Sequence, residues 1–226
     1  MGTRTGKRHP RRIDVTPTTD QLHSYRNSGM SALSCFGELI DNCIGAKARN
    51  IEIIIDGDTC TMTVTDDGCG MHSAALAFKL GRHIDHGDEQ GSPRYGVGLK
   101  DAGWRLGGSI KIVTVRDGRK TVSVADTDVM IRRGKWEVTE RAFKSASQPG
   151  TVVTVSRFDF PLSNSSISRL RTELEKLYVD ALREGITITI NGASLAAADL
   201  PKFRSVREAE VELDGKRFRV RGGSRK

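Results

Sequence analysis

Thr61-Met62-Thr63-Val64-Thr65 alternates polar and apolar residues, and Asp66-Asp67-Gly68-Cys69-Gly70-Met71 then breaks the alternation. Alternation at period two predicts a half-buried strand. Two glycines one residue apart, directly after it, let backbone approach a ligand closely, while Asp66 offers a directional acceptor. Taken alone, the same Asp-Gly pair is an ordinary surface turn. Upstream, Ile51 to Ile55 alternates in the same way, and Asp56-Gly57-Asp58 between the two runs predicts a hairpin.

Working toward the N-terminus, the pattern from Met30 is helical. Leu33, Phe36, Ile40, Cys43 and Ile44 recur at three- and four-residue steps and share one face, with Glu38, Asp41, Asn42 and Gly45 on the other. Glu38 and Asn42 are four residues apart and project one turn from each other. A carboxylate there can take a proton from water, and an amide oxygen can ligate a hard cation. By itself the cluster reads as the solvated face of an amphipathic helix.

Working toward the C-terminus, Ser73 to Leu80 predicts a short helix, and Gly81 to Arg94 is a polar loop without periodicity. Tyr95-Gly96-Val97-Gly98-Leu99-Lys100 follows, and a helix is expected from near Gly98 to Leu106. Glycine-rich backbone opening a helix presents N–H groups and the positive dipole end to an anion, and Lys100 adds a charge. The stretch fits neither the Walker A loop nor the dinucleotide fingerprint.

Strands are expected at Ser109 to Val115, Lys120 to Ala125 (through Asp117-Gly118) and Thr151 to Arg157, with weak signals around Trp136 and Val138. Ser165 to Arg183 predicts a helix with Leu170, Leu174, Leu177, Tyr178 and Leu182 on one stripe. Ile186, Ile188 and Ile190 predict a strand, and Val211 to Leu213 with Arg217 to Val220 a last hairpin. Helices and mostly hairpin-linked strands together predict an α+β fold, helices on one face of a mixed, largely antiparallel sheet.

Composition sets outer bounds. The chain has 226 residues, and its formal charge of +8 favours polyanionic partners. Five cations crowd residues 1–12 and six crowd residues 216–226, which suits either nucleic-acid contact or solvated tails. No apolar run approaches the ~18 residues of a membrane helix, and no secretory signal is visible, so a cytoplasmic protein is the expectation, with nucleoid or nuclear association open. Cys35, Cys43, Cys60 and Cys69 show no C-x-x-C spacing, and His72, His83 and His86 fit no standard zinc template.

The three polar clusters, in this order and on these elements, resemble the nucleotide-site motifs of the GHKL ATPase superfamily, which includes gyrase B, heat-shock chaperones, sensor histidine kinases and MutL. Gly150-Thr151 is similar to the family's late Gly-Thr element, and the likeness covers roughly Leu22 to Asn191. Leu22-His23-Ser24, and Tyr95 to Lys100 followed by Arg105-Leu106-Gly107, look most like MORC-type ATPases. The resemblance implies a Bergerat-type two-layer sandwich that binds ATP and magnesium. It implies Glu38 as the general base, Asn42 as the magnesium ligand, and Asp66 as the acceptor for the adenine amino group, with Thr151 supporting through water. Gly68, Gly70 and Met71 would line the nucleotide. Gly96, Val97, Gly98, Leu99 and Lys100 would cradle the phosphates, and residues 81–94 would be the lid. One base, one oxygen ligand and one phosphate nest suffice for in-line transfer to water.

The likeness further implies that ATP closes the lid and favours a homodimer through the N-terminal arm, with DNA as a partner. The expected organisation is a basic arm (1–20), the ATP-binding domain (21–195) and a basic hairpin or the start of a transducer-like domain (196–226). MutL- and MORC-like enzymes add a second domain whose lysine reaches the γ-phosphate. The about 35 residues after Asn191 are too few for one, so the expectation is either a fragment of a longer protein or a stand-alone module completed by a partner protein. Gly45 stands where the family usually has an acid, Pro93 where it has glycine, and Asp101 where it has a small residue. These departures support an alternative, a nucleotide-gated interaction module with negligible turnover. A histidine-kinase catalytic domain ranks third, since no phosphoacceptor-histidine helix is recognisable.

Overall fold

The helix that carries Glu38 begins where Ser31 caps it: the Ser31 hydroxyl accepts the Ser34 N–H at 3.1 Å, satisfying one of the open donors of the first turn. The computed structural model describes Ser24 and residues 29–79, 98–158, 163–198, 207–213 and 216–222. Helix α1 spans Ala32–Gly45, and its stripe of Cys35, Phe36, Leu39, Ile40 and Cys43 is buried. The Ala46 N–H still bonds the Asn42 carbonyl at 3.0 Å, and Lys47, at φ 64°, turns the chain away.

Strands β1 (Asn50–Asp56) and β2 (Thr61–Asp66) form the expected hairpin, in a register that sets Ile51 opposite Asp66 and Ile53 opposite Val64. Next, α2 (Gly98–Leu106) leads into β3 (Ser109–Arg116) and β4 (Arg119–Asp126), joined at Asp117 and Gly118 with φ of 49° and 71°. Positive φ at both central residues gives the turn whose twist matches the flanking strands. Then come α3 (Thr127–Arg133), β5 (Thr139–Lys144), β6 (Gly150–Ser156), α4 (Asn164–Leu177), α5 (Val179–Arg183), β7 (Thr187–Ile190) and β8 (Ala193–Ser194).

These eight strands form one sheet in the order β5-β4-β3-β6-β2-β1-β7-β8. Only β1 and β7 pair in parallel within it; the chain reaches β7 by crossing through α4 and α5. The fold is therefore α+β on a mixed, largely antiparallel sheet, as the pattern predicted. Alternate residues, among them Ile53, Val64, Ile112, Val155 and Ile188, are buried in one core with α1, α2 and α4. Their neighbours Glu52, Ile54, Lys111 and Val124 are exposed on the other face. Within the core, fully buried Trp104 stacks on Phe78 at 6.5 Å and meets Trp136 edge-on at 5.1 Å. Strands β9 (Arg207–Leu213) and β10 (Lys216–Gly222) form a separate two-stranded sheet, longer than the expected hairpin.

The structure departs from the local expectations at four places. The helix expected over 73–80 is a single 3-10 turn, Ala75–Phe78. Glu140 on β5 accepts from the Ser73 hydroxyl at 2.7 Å and the Ala75 N–H at 3.0 Å, anchoring the segment sideways, and Lys79 leaves in an extended conformation. The helix expected over 165–183 is broken at Tyr178 into α4 and α5. Helix α3 was not expected; Asp126 caps it by accepting the Val129 N–H at 3.1 Å. The strand near Trp136 and Val138 is β5, displaced to 139–144. No described helix is long and apolar enough to cross a membrane.

Candidate functional site

Asp66 ends β2, and the loop after it is stitched to the end of α1. The Asp67 carboxylate accepts the N–H groups of Arg49 (2.7 Å) and Asn50 (2.9 Å) and the Asn50 amide (2.6 Å). Burial opposes its charge, but these donors outweigh it and hold the carboxyl below its ordinary range. The Cys69 N–H bonds the Ala46 carbonyl at 2.8 Å, and a Cβ on Gly68 would stand 2.7 Å from that same oxygen. Gly70, at φ 68°, passes so close to β3 that a Cβ would overlap the Val115 carbonyl. Both glycines thus admit neighbouring protein backbone.

Asp66 itself is buried, and its Oδ1 accepts the Gly68 N–H at 2.8 Å. Burial pushes its carboxyl up to about 6, while the Gly68 N–H and the Cys43 thiol pull the other way. Thr114 on β3 ties the surroundings together. Its hydroxyl accepts the Met71 N–H at 2.8 Å and lies 3.1 Å from both the Gly150 carbonyl and the Thr151 hydroxyl. The β3–β6 register, which sets Thr114 opposite Thr151, makes this junction possible.

Beside this junction lies a narrow crevice, with Asp66 in its lining. Asn42, Asp66, Gly70, Met71, Leu99 and Thr151, all expected at one site, line it. So do Leu39, Cys43, Ala46, Val64 and Val153, which supply apolar walls. Cys43 was read only as a core position; its place four residues after Leu39 and one after Asn42 was the available signal. Its thiol donates to the Leu39 carbonyl at 3.2 Å, and burial holds it well above the ordinary thiol range.

On α1 the Asn42 amide nitrogen donates to the Glu38 carbonyl at 2.5 Å, which leaves Oδ1 as the atom open to a cation. That commitment fits a hard metal such as magnesium. Glu38 does not line the crevice. Its carboxylate lies against Gly98 at the start of α2, where a Cβ would overlap Oε2. Burial, and then the charge of Asp41, raise the Glu38 carboxyl above its ordinary value. Gly68 lies behind the crevice wall, where it donates to Asp66. Gly96, Val97, the Lys100 side chain, the loop 81–94 and the arm 1–20 lie outside the described residues.

In this α+β domain a buried acid in an apolar crevice thus stands beside a helix bearing an acid and an amide at i and i+4. The chain belongs to the histidine kinase-, DNA gyrase B- and HSP90-like ATPase family, whose model matches residues 30–157. It is 32% identical over 111 residues to ATPase morc-1 of Caenorhabditis elegans, covering 43% of this chain and 12% of that protein. It is 27% identical over 188 residues to the DNA mismatch repair protein MutL of Gemmatimonas aurantiaca, covering 79% of this chain and 30% of that one. Both likenesses accord with the GHKL reading. The ATPase region of Saccharomyces cerevisiae topoisomerase II shares the fold, with a TM-score of 0.56 at 17% identity over 72% of this chain and 48% of its own. The ATPase and transducer domains of Balamuthia mandrillaris DNA topoisomerase II give 0.52 at 19% identity, over 73% and 48%. The chain thus spans a third or less of the curated relatives.

Proposed function

We propose that this chain is a magnesium-dependent ATP-binding and ATP-hydrolysing module, with the base of ATP in the crevice over Asp66. The observation that supports this most is Asp66 itself. A carboxylate buried among Val64, Val153 and Leu39 gains from a ligand that brings a planar apolar surface and one N–H donor, which adenine does. The Thr114–Thr151 junction would hold the second acceptor position beside it.

Glu38 would take the proton of the attacking water, its carboxyl raised toward the working pH. Gly98 opens α2 directly over that carboxylate, so phosphates cradled at this helix start would stand next to the base. Magnesium, held through Asn42 Oδ1, would neutralise charge on the phosphoryl oxygens. Closure of residues 81–94, dimerisation through the arm, completion by a second domain and contact of the basic ends with DNA belong to the same proposal. They rest on motif order, on the +8 charge and on the likeness to MutL and morc-1.

Gly45 supports the rival reading of a gated module with negligible turnover. A Cβ there would meet nothing within 4 Å, so the place where the family carries an acid is empty space.

Thermal unfolding of wild type and Asp66→Asn with and without Mg-ATP tests the binding. Ligand at ~100 times its dissociation constant adds about 2.7 kcal/mol, a shift of roughly 5–11 °C for this size. A shift lost in Asp66→Asn is expected; no shift in either protein overturns the proposal. Glu38→Ala should then lower phosphate release ~10²–10⁴-fold. Binding with only background release leaves the gated module.

A further inference from the structure

Tyr178 stands at the break between α4 and α5, and the chemistry above makes no use of it. Its side chain is buried, and its hydroxyl crosses to α1, 2.8 Å from Asp41 Oδ1 and 2.9 Å from the Gly37 carbonyl oxygen. Gly37 is the residue before Glu38 and Asp41 is three after it. The hydroxyl therefore grips the one helical turn that carries the candidate base. The hydroxyl has one proton, shared between these two acceptors, and a helix carbonyl keeps a second lone pair after its i+4 bond, so Gly37 takes its share without loss to the helix.

Asp41 makes the grip consequential. It lies between Glu38 and Asn42 in sequence, and its charge acts on Glu38. A carboxylate free to swing there would compete with Asn42 for a hard cation and repel the base. The Tyr178 hydroxyl gives it a fixed neutral partner instead. Packing alone does not call for this group, since phenylalanine would fill nearly the same volume.

We propose that Tyr178 is a positioning residue: through Gly37 and Asp41 it sets the 37–41 turn so that Glu38 points at the reacting phosphate and Asp41 stays clear of the cation. The inference rests on the reading of Glu38 as the base.

The test uses the full chain with Mg-ATP and compares wild type, Tyr178→Phe, Asp41→Ala, the double variant and Glu38→Gln. Misplacing a base by a fraction of an ångström is expected to lower kcat of Tyr178→Phe about 10-fold while ATP affinity stays within about 2-fold. The double variant should be no slower than the slower single variant, because both remove one interaction. Unchanged kcat in Tyr178→Phe beside an inactive Glu38→Gln overturns the positioning role and leaves the ATPase reading standing. A parallel fall of kcat, affinity and melting temperature makes Tyr178 purely structural and also overturns it. Wild-type turnover that does not depend on Glu38 removes the ATPase reading, and this inference with it.

Discussion

Gly98 lies directly against the Glu38 carboxylate: a Cβ on Gly98 would overlap Oε2 and stand 2.8 Å from Cδ. The two residues are 60 positions apart, one on α1 and one opening α2, and their packing brings the acid motif and the glycine motif together. What a Cβ would meet is the far end of a flexible side chain, so the carboxylate can move aside while the fold stays.

Gly98→Ala should therefore separate chemistry from stability. Alanine suits a helix better than glycine, so the urea unfolding free energy should stay within ~1 kcal/mol of wild type. Displacing Glu38 should lower ATP turnover at least ~10-fold. Phosphate release at wild-type rates would show that Glu38 does not act from this position.

Asp66 should make unliganded stability depend on pH. Its folded value of about 6 lies above the ordinary ~3.9, so its contribution is full below pH ~4 and is lost as pH rises through about 6. Two pH units correspond to roughly 3 kcal/mol at most. Asp66→Asn escapes this loss, so its melting temperature should pull ahead of wild type between pH 4 and 6 and then hold a constant lead. With Mg-ATP the wild-type shift should grow over the same range, since adenine donates to the ionised form. A wild-type-to-variant difference that stays flat from pH 4 to 7 would contradict the burial argument.

Thr114→Val tests the junction behind the crevice. The swap nearly conserves shape but removes the acceptor of the Met71 N–H and the partner of the Thr151 hydroxyl. Leaving these polar groups unmatched should cost ~1–3 kcal/mol in urea unfolding. Nucleotide titration should show weaker binding than wild type, because the loop from Asp66 to Met71 loses one of its ties to β3.

Two glycine substitutions should diverge in sign. Gly70→Ala meets positive φ and the immovable Val115 carbonyl, and should cost about 3 kcal/mol or more. Gly45→Ala enters open space at the end of α1 and should be neutral or stabilise by up to ~1 kcal/mol. Equal effects on the unfolding midpoint would mean that neither environment constrains its residue.

Much of the fold was legible because periodicity reports which face of an element is buried. The stripe from Phe36 to Cys43, and the alternation through Ile53 and Val64, needed only local sequence. Helix α3 was not legible: Thr127-Asp128-Val129-Met130 is too short to show a period, and its start depends on the Asp126 cap. The break at Tyr178 was hidden because Leu174, Leu177 and Tyr178 continue a helical stripe across it.

By itself the sequence determined the α+β class, the order of the acid, Asp-Gly and glycine clusters, and the elements that carry them. Each of those depends on residues within one or two turns of each other, where spacing alone settles geometry. Tertiary structure alone decided which atoms meet. It set Gly98 on Glu38, brought Thr114 beside Thr151 through the strand register, turned Cys43 toward Asp66, and carried the Tyr178 hydroxyl across to Asp41. Such meetings depend on registers and packing between distant segments, and no local pattern encodes the partner across the gap.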